Sequence, residues 1–181
     1  MNVLVETNNF YIRPLRMEDF ESSINNWVMD KKIFKEFNYE IPSNKKEATA
    51  MLLVWLSEYQ IENYNWHFII QNKESNESIG FIAIKNYRDI AGGIIEIECG
   101  ISSTYWNKGI MSECLLAFAK YLLLKCGFNR VEARCNESNK SINRVLEKCG
   151  MVKEGTSRES GQNHSKEKYN ENVYSLLRKD I

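Results

Sequence analysis

Three glutamates carry the first chemical possibility. Glu96 and Glu98 stand two apart in a segment of strand character, which puts both carboxylates on one face of a sheet. Glu132 falls in a second such segment. A desolvated carboxylate has its pKa raised and can work as a base near neutral pH; a solvated one is only a charge on a sheet face. The second possibility is an anion site. Tyr105-Trp106-Asn107-Lys108-Gly109-Ile110-Met111-Ser112 leads from the strand into a helix with Gly109 in its first turn. Glycine permits close backbone approach, the first-turn amides lack intrahelical partners, and the helix dipole favours negative charge there. Neither GxGxxG nor GxxxxGK[ST] occurs, which argues against a dinucleotide or P-loop enzyme.

The cysteines and histidines suggest less. Cys99, Cys114, Cys126, Cys135 and Cys149 form no CxxC pair and read as small thiols buried in apolar segments. His67 and His164 are isolated, so no metal is expected. The opening MNVLVETNN has no basic segment followed by an apolar one, and with unpaired cysteines this leads to an expected cytoplasmic location. The 24 basic and 24 acidic side chains leave no net charge, which argues against a broad grip on nucleic acid or an anionic membrane. The N-terminal half is slightly acidic and the C-terminal half slightly basic. No apolar run approaches membrane-spanning length.

The elements that must position these groups follow from periodicity. Residues 10–15 read as a strand and 17–29 as a helix, with Phe20, Ile24, Trp27 and Val28 at helical spacing. Ser43 reads as the N-cap of a helix running to about Glu62. Residues 66–71 and 79–85 form a hairpin around NKESNES, and Gly92-Gly93 breaks the chain before a strand at 94–102. A helix over 109–126 closes at Gly127, a strand spans 130–135, and a helix containing Ile142, Val145, Leu146 and Cys149 closes at Gly150. Residues 155–172 read as a flexible polar segment before a last strand at 173–178. The whole chain, residues 1–181, is expected to form one mixed α/β domain.

YWNKGIMSE, RVEARCNESNKSINRVLEKCGM, KEG and NVYSLLR, with FYIRPLRMEDF and IGFIAI before them, resemble the GNAT superfamily of acyl-CoA-dependent N-acetyltransferases. The closest resemblance is to the RimJ/RimL-type ribosomal-protein alanine N-acetyltransferases, and it covers nearly the whole chain. It implies a mostly antiparallel sheet flanked by helices and splayed between its fourth and fifth strands, here 94–102 and 130–135. The pantetheine arm of acetyl-CoA would lie in the gap. Amides of Asn107, Lys108, Gly109, Ile110, Met111 and Ser112 would hold the diphosphate, with Trp106 at a family position that is usually polar and Met111 at one that is usually small. Ile101 and Ser102 would meet the cofactor from the strand end, amides near Ile101 polarising the thioester carbonyl. Asn139 matches the asparagine that bonds the cofactor arm.

The reaction implied is acetyl transfer to a primary amine, either a protein N-terminus or a small molecule. Glu96 first, then Glu98, would take the amine proton, directly or through water. Leu146 stands where many relatives carry a tyrosine acid, and Ser141 comes one residue before the usual serine, whose place Ile142 fills. Ser141, water or no acid at all would then serve the departing thiolate. Trp27 and Phe34 are candidates for the acceptor wall. The alternative is a non-catalytic acyl-CoA-binding module. Homodimers are common in the family.

Overall fold

The computed structural model describes residues 4–35, 37–61, 66–89 and 93–181, with the side chains of 86–89 outside the description. Largely apolar runs, nearly continuous in the central strands because helices cover both faces, build β1 (Val5–Glu6), β2 (Phe10–Pro14), β3 (Trp66–Asn72), β4 (Ser78–Asp89), β5 (Ile94–Ile101) and β6 (Arg130–Asn136), followed by β7 (Val152–Gln162) and β8 (Lys168–Leu177). They form one sheet in the order β1-β2-β3-β4-β5-β6-β8-β7, antiparallel throughout except between β5 and β6. The short β1 was not expected, so the strands expected to splay as fourth and fifth are β5 and β6.

Helices α1 (Phe20–Ser23), α2 (Lys31–Phe34) and α3 (Lys45–Glu58) cover one face, and α4 (Ile110–Leu124) and α5 (Lys140–Lys148) the other. Cys114, Leu115, Phe118, Ala119, Leu122 and Leu123 form the buried stripe of α4, packed on Ile95, Ile97 and Val131. Each large apolar side chain so buried stabilises the fold by about 1.5–3 kcal/mol. On the opposite face Trp27, Phe34, Trp55 and Phe81 pack into an aromatic cluster.

Several elements differ from the sequence reading. The expected helix at 17–29 is a composite of a 3-10 turn (Met17–Asp19), α1 and a π-helical turn (Ile24–Val28). Asp19 at its start receives a fork of two hydrogen bonds from Arg13 of β2. The cap of α3 is Asn44, one residue after Ser43; Asn44 accepts from the Glu47 amide, and the Ser43 amide and hydroxyl both donate to Glu47 Oε2 at 2.8 Å. The helix is described to Glu58, while Glu62 and Gly92 lie outside the described residues. Residues 155–172 are ordered hairpin rather than a flexible link. Most of β7 is exposed, so its sequence lacks alternation, and it is irregular in register at Lys153/Gly155 and Ser157/Gly161. Cys126 is exposed beyond the end of α4, unlike the buried Cys114, Cys135 and Cys149.

One ion pair at this end gives a pH prediction. The Arg130 guanidinium forks onto Glu154, and Ser175 donates to the same carboxylate; together they hold the Glu154 pKa down to about 2 from 4.5. Its folded-state pKa lies below the unfolded one, so its contribution to stability is present above pH 4.5 and fades as pH falls toward 2. Glu154→Gln should flatten that part of a stability–pH curve measured by urea midpoints. An unchanged slope would show that the pair contributes nothing.

Candidate functional site

Strands β5 and β6 are paired only from Ile94↔Arg130 to Ile97↔Ala133. Beyond that they part, and a cleft of about 1180 Å³ opens between Glu98–Ile101 on one side and Arg134–Asn136 with α5 on the other. Its walls include Glu96, Glu98, Ile101, Asn107, Asn139 and Ser141.

The ladder decides what β5 offers to the gap. Ser102 donates its amide to Ile79 of β4 at 2.9 Å. Neighbouring residues in a strand point their amide and carbonyl to opposite edges, so Ile101 turns both toward the splay. Its carbonyl accepts from the Trp106 indole nitrogen at 2.9 Å, which ties the loop to the strand end. Ser102 itself is not brought to the cleft; its hydroxyl bonds to Thr104 and the residue is 1% exposed.

From Trp106 the loop turns through two left-handed residues, Asn107 at φ 62° and Gly109 at φ 77°. Backbone curled in this way cups anions, and α4 begins directly after Gly109 with its first amides free of intrahelical partners. A Cβ built on Gly109 would meet nothing within 4 Å. The cradle therefore has room for a diphosphate against its backbone. Ile110, Met111 and Ser112 line it; Met111 is buried in the α4 core with only part of its surface on the cleft. Lys108 is exposed, its ammonium 5.2 Å above the Tyr105 ring.

Across the gap, Asn139 caps α5, its side-chain oxygen accepting from the Ile142 amide at 3.4 Å. Asn143, missed in the sequence, ties this end down. Its amide donates to Asn136 and Asn139 carbonyls, and its oxygen accepts from Asn172 and Tyr174. Ser141 is exposed on the cleft wall, and Leu146, 1% exposed, borders the cleft from the core. Cys135 also lines the cleft, but burial pushes its thiol up to about 12, so it stays protonated.

Glu96 and Glu98 point to the face covered by α1–α3, opposite α4. Glu96 is 5% exposed, stands beside Glu132 in the ladder and lies 3.7 Å from Arg134 Nε. Glu98 is the first residue past the last β5–β6 pair. Its Oε2 pairs with Lys85 Nζ at 3.0 Å, and its Oε1 accepts from the Tyr39 hydroxyl. Lys85 is the extra residue of a bulge between Ile84 and Asn86, a feature that re-aims a side chain. Partial burial pulls its ammonium toward neutrality, but the charge and hydrogen bond of Glu98 hold its pKa above the ordinary value. Neither Lys85 nor Tyr39 stands out in the sequence; hairpin register was the available clue to the first. Trp27 and Phe34, expected on the acceptor wall, are wholly buried core. Lys32, Ile33, Phe37 and Asn38 line the cleft on that side instead.

Among the described residues no helix is long and apolar enough to cross a membrane, and no group of three or more His, Cys, Asp or Glu side chains could hold a metal. A family model described as an acetyltransferase (GNAT) domain matches residues 9–152. The probable N-acetyltransferase YjcK of Bacillus subtilis (strain 168) is 25% identical over 169 residues, covering 87% of this chain and 88% of its own. A GNAT-family acetyltransferase from Bacillus anthracis superposes with a TM-score of 0.82 at 22% identity, over 97% of this chain and 98% of that one. RimL, a ribosomal L7/L12 alpha-N-protein acetyltransferase solved in complex with coenzyme A, does so with a TM-score of 0.81 at 14% identity, over 97% and 98%.

Proposed function

Because the chain belongs to the GNAT acetyltransferase family, we propose that it moves an acetyl group from acetyl-CoA to a primary amine by direct attack on the thioester. The observation that carries this reading is the cleft between β5 and β6, with an anion cradle at one end and carboxylates on the opposite face. In it, amides of residues 107–112 hold the diphosphate and Asn139 bonds the pantetheine arm. The Ile101 amide, turned into the gap, polarises the thioester carbonyl. The amine nitrogen bonds to the carbonyl carbon, the C–S bond breaks, and the amine proton passes to the acidic pair, Glu96 first and Glu98 second. Leu146 has no proton to give, which leaves Ser141 or water to protonate the thiolate. A thiol of ordinary pKa, ~8.5, can also leave without an acid.

The RimJ/RimL resemblance supports a protein N-terminus as acceptor, with a small amine as the other choice. We place the activity in one domain spanning residues 1–181 and acting without nucleic acid, membrane or metal. A non-catalytic acyl-CoA-binding module is the second reading, favoured by the displaced Ser141 and by Leu146. Free-thiol release from acetyl-CoA across a panel of amines and peptides separates the two. Amine-dependent release is expected, and CoA binding without it would leave the module.

Glu96→Gln should spare CoA affinity and lower turnover at neutral pH by about 10²–10⁴-fold, the usual worth of a general base. An undiminished rate would move the role to Glu98, Glu132 or water.

A further inference from the structure

A line of polar side chains runs from the cleft along the sheet's α1–α3 face to the C-terminal end of α3. Glu98 lines the cleft; Tyr39, behind it, does not. The Tyr39 hydroxyl donates to Glu98 Oε1 and lies 3.4 Å from His67 Nε2. His67 Nδ1 sits 2.7 Å from Glu58 Oε2, and the His67 ring stacks on Trp55 at 3.6 Å, interplanar angle 9°. His67 is 3% exposed, near the start of β3, where a polar ring is costly without hydrogen-bond partners.

The donors along this line can be ordered. A carboxylate only accepts, so Tyr39 gives its one proton to Glu98 and His67 donates from Nδ1 to Glu58. The Tyr39 oxygen then faces His67 Nε2 at 3.4 Å, a contact whose donor depends on the tautomer of His67. Burial, followed by the charge and hydrogen bond of Glu98, raises the Tyr39 pKa, so the phenol keeps the proton it donates. The His67 ring, fixed by the Trp55 stack and by Glu58, backs the Tyr39 hydroxyl where it meets Glu98.

We propose that Tyr39, braced by His67 and Glu58, is a positioning residue that holds the Glu98 carboxylate in the cleft against Lys85. This rests on the acetyl-transfer reading above and adds to it residues that touch neither substrate. Among the described residues the charged and titratable groups around Glu98 are Lys85 from β4, Tyr39, and Glu96 and Cys99 on its own strand, with Glu171 of β8 adding to the field at Lys85. Those around His67 are Glu58 from α3 and Tyr39, while Tyr59 donates its hydroxyl to the His67 carbonyl. Without Tyr39, Lys85 alone restrains Glu98, and a half-exposed lysine on a flexible stem is a loose partner.

Two measurements test this, one kinetic and one independent of turnover. Tyr39→Phe keeps the ring in the aromatic cluster and removes only the hydroxyl. It should lower kcat about tenfold, leave KM for acetyl-CoA within about twofold, and shift the acidic limb of the pH–rate profile. In a Glu98→Gln background the same change should do nothing further. An equal loss in both backgrounds, or no loss in the parent, overturns the proposal. The second measurement follows the ring-nitrogen resonances of His67 and His164 without substrate. Glu98→Gln should move those of His67 and leave those of His164 in place, and Tyr39→Phe should abolish that response. A His67 ring indifferent to Glu98 overturns the proposal whatever the enzyme acetylates. A protein that shows the ring response but no amine-dependent thiol release would instead refute the acetyl-transfer reading and leave the brace standing.

Discussion

Gly109→Trp is expected to abolish CoA binding while the chain still folds. The position is held at φ 77°, where any side chain costs about 1–2 kcal/mol. For a chain of this size that lowers the melting temperature by roughly 2–8 °C. Apart from its chain neighbours, no described protein atom lies within 4 Å of a Cβ placed there, so the indole has no core to disrupt. The space it enters is the cradle in front of the first amides of α4. A bulky ring there bars a diphosphate from the backbone, and affinity measured by calorimetry should fall more than a hundredfold. Gly109→Ala separates the two effects, since it carries the backbone strain with almost none of the obstruction. CoA affinity unchanged in the tryptophan variant would remove the diphosphate from this loop.

The largest loss of stability is expected at Arg13. Its guanidinium donates to both oxygens of Asp19 at 2.7 and 2.6 Å, to Gln71 Oε1 at 2.8 Å and to the Pro14 carbonyl at 3.1 Å. Arg13 is 2% and Asp19 6% exposed, and Asp19 also accepts from the Arg16 amide. Arg13→Ala leaves a buried carboxylate without its countercharge, a change that costs about 3–5 kcal/mol. Urea and thermal midpoints should both drop, the latter by roughly 6–20 °C. Replacing both partners by apolar residues, Arg13→Met with Asp19→Leu, should cost less than Arg13→Ala alone, because no unpaired charge remains. A double variant less stable than the single would show that the hydrogen bonds, not the buried charge, dominate.

Local chemistry made part of this site legible in the sequence. Gly109 before an apolar helix marks the cradle, and the two-residue spacing of Glu96 and Glu98 puts them on one face whatever else the chain does. The splay followed from resemblance, since no pattern within a strand says where its neighbour leaves it. The brace behind Glu98 was hidden for a different reason. Tyr39 and Glu98 are 59 residues apart, Tyr39 lies in a stretch without periodicity, and Lys85 reaches Glu98 only because a bulge turns it. His67 looked like an isolated histidine because its partners come from α3 and the segment after α2. Ser102 looked like a cofactor contact because sequence cannot say which edge of a strand an amide faces; the bond to Ile79 decides it. The hairpin of β7 and β8 escaped notice because an exposed strand needs no apolar alternation.

That exposed strand has a consequence for how copies of this protein behave when crowded. A sheet of eight strands ends in two rows of unpaired backbone groups, each a template for adding a strand from another molecule. At one end, among the described residues, the template is only two residues long, Val5–Glu6. At the other, β7 is long but bent at two irregularities, with Glu159 in the left-handed region and Lys153, Glu154, Arg158 and Glu159 along its exposed length. Twist and charge make that border a poor match for a straight incoming strand. The polarity that made residues 155–172 look unstructured is thus what keeps the sheet from growing beyond its own chain.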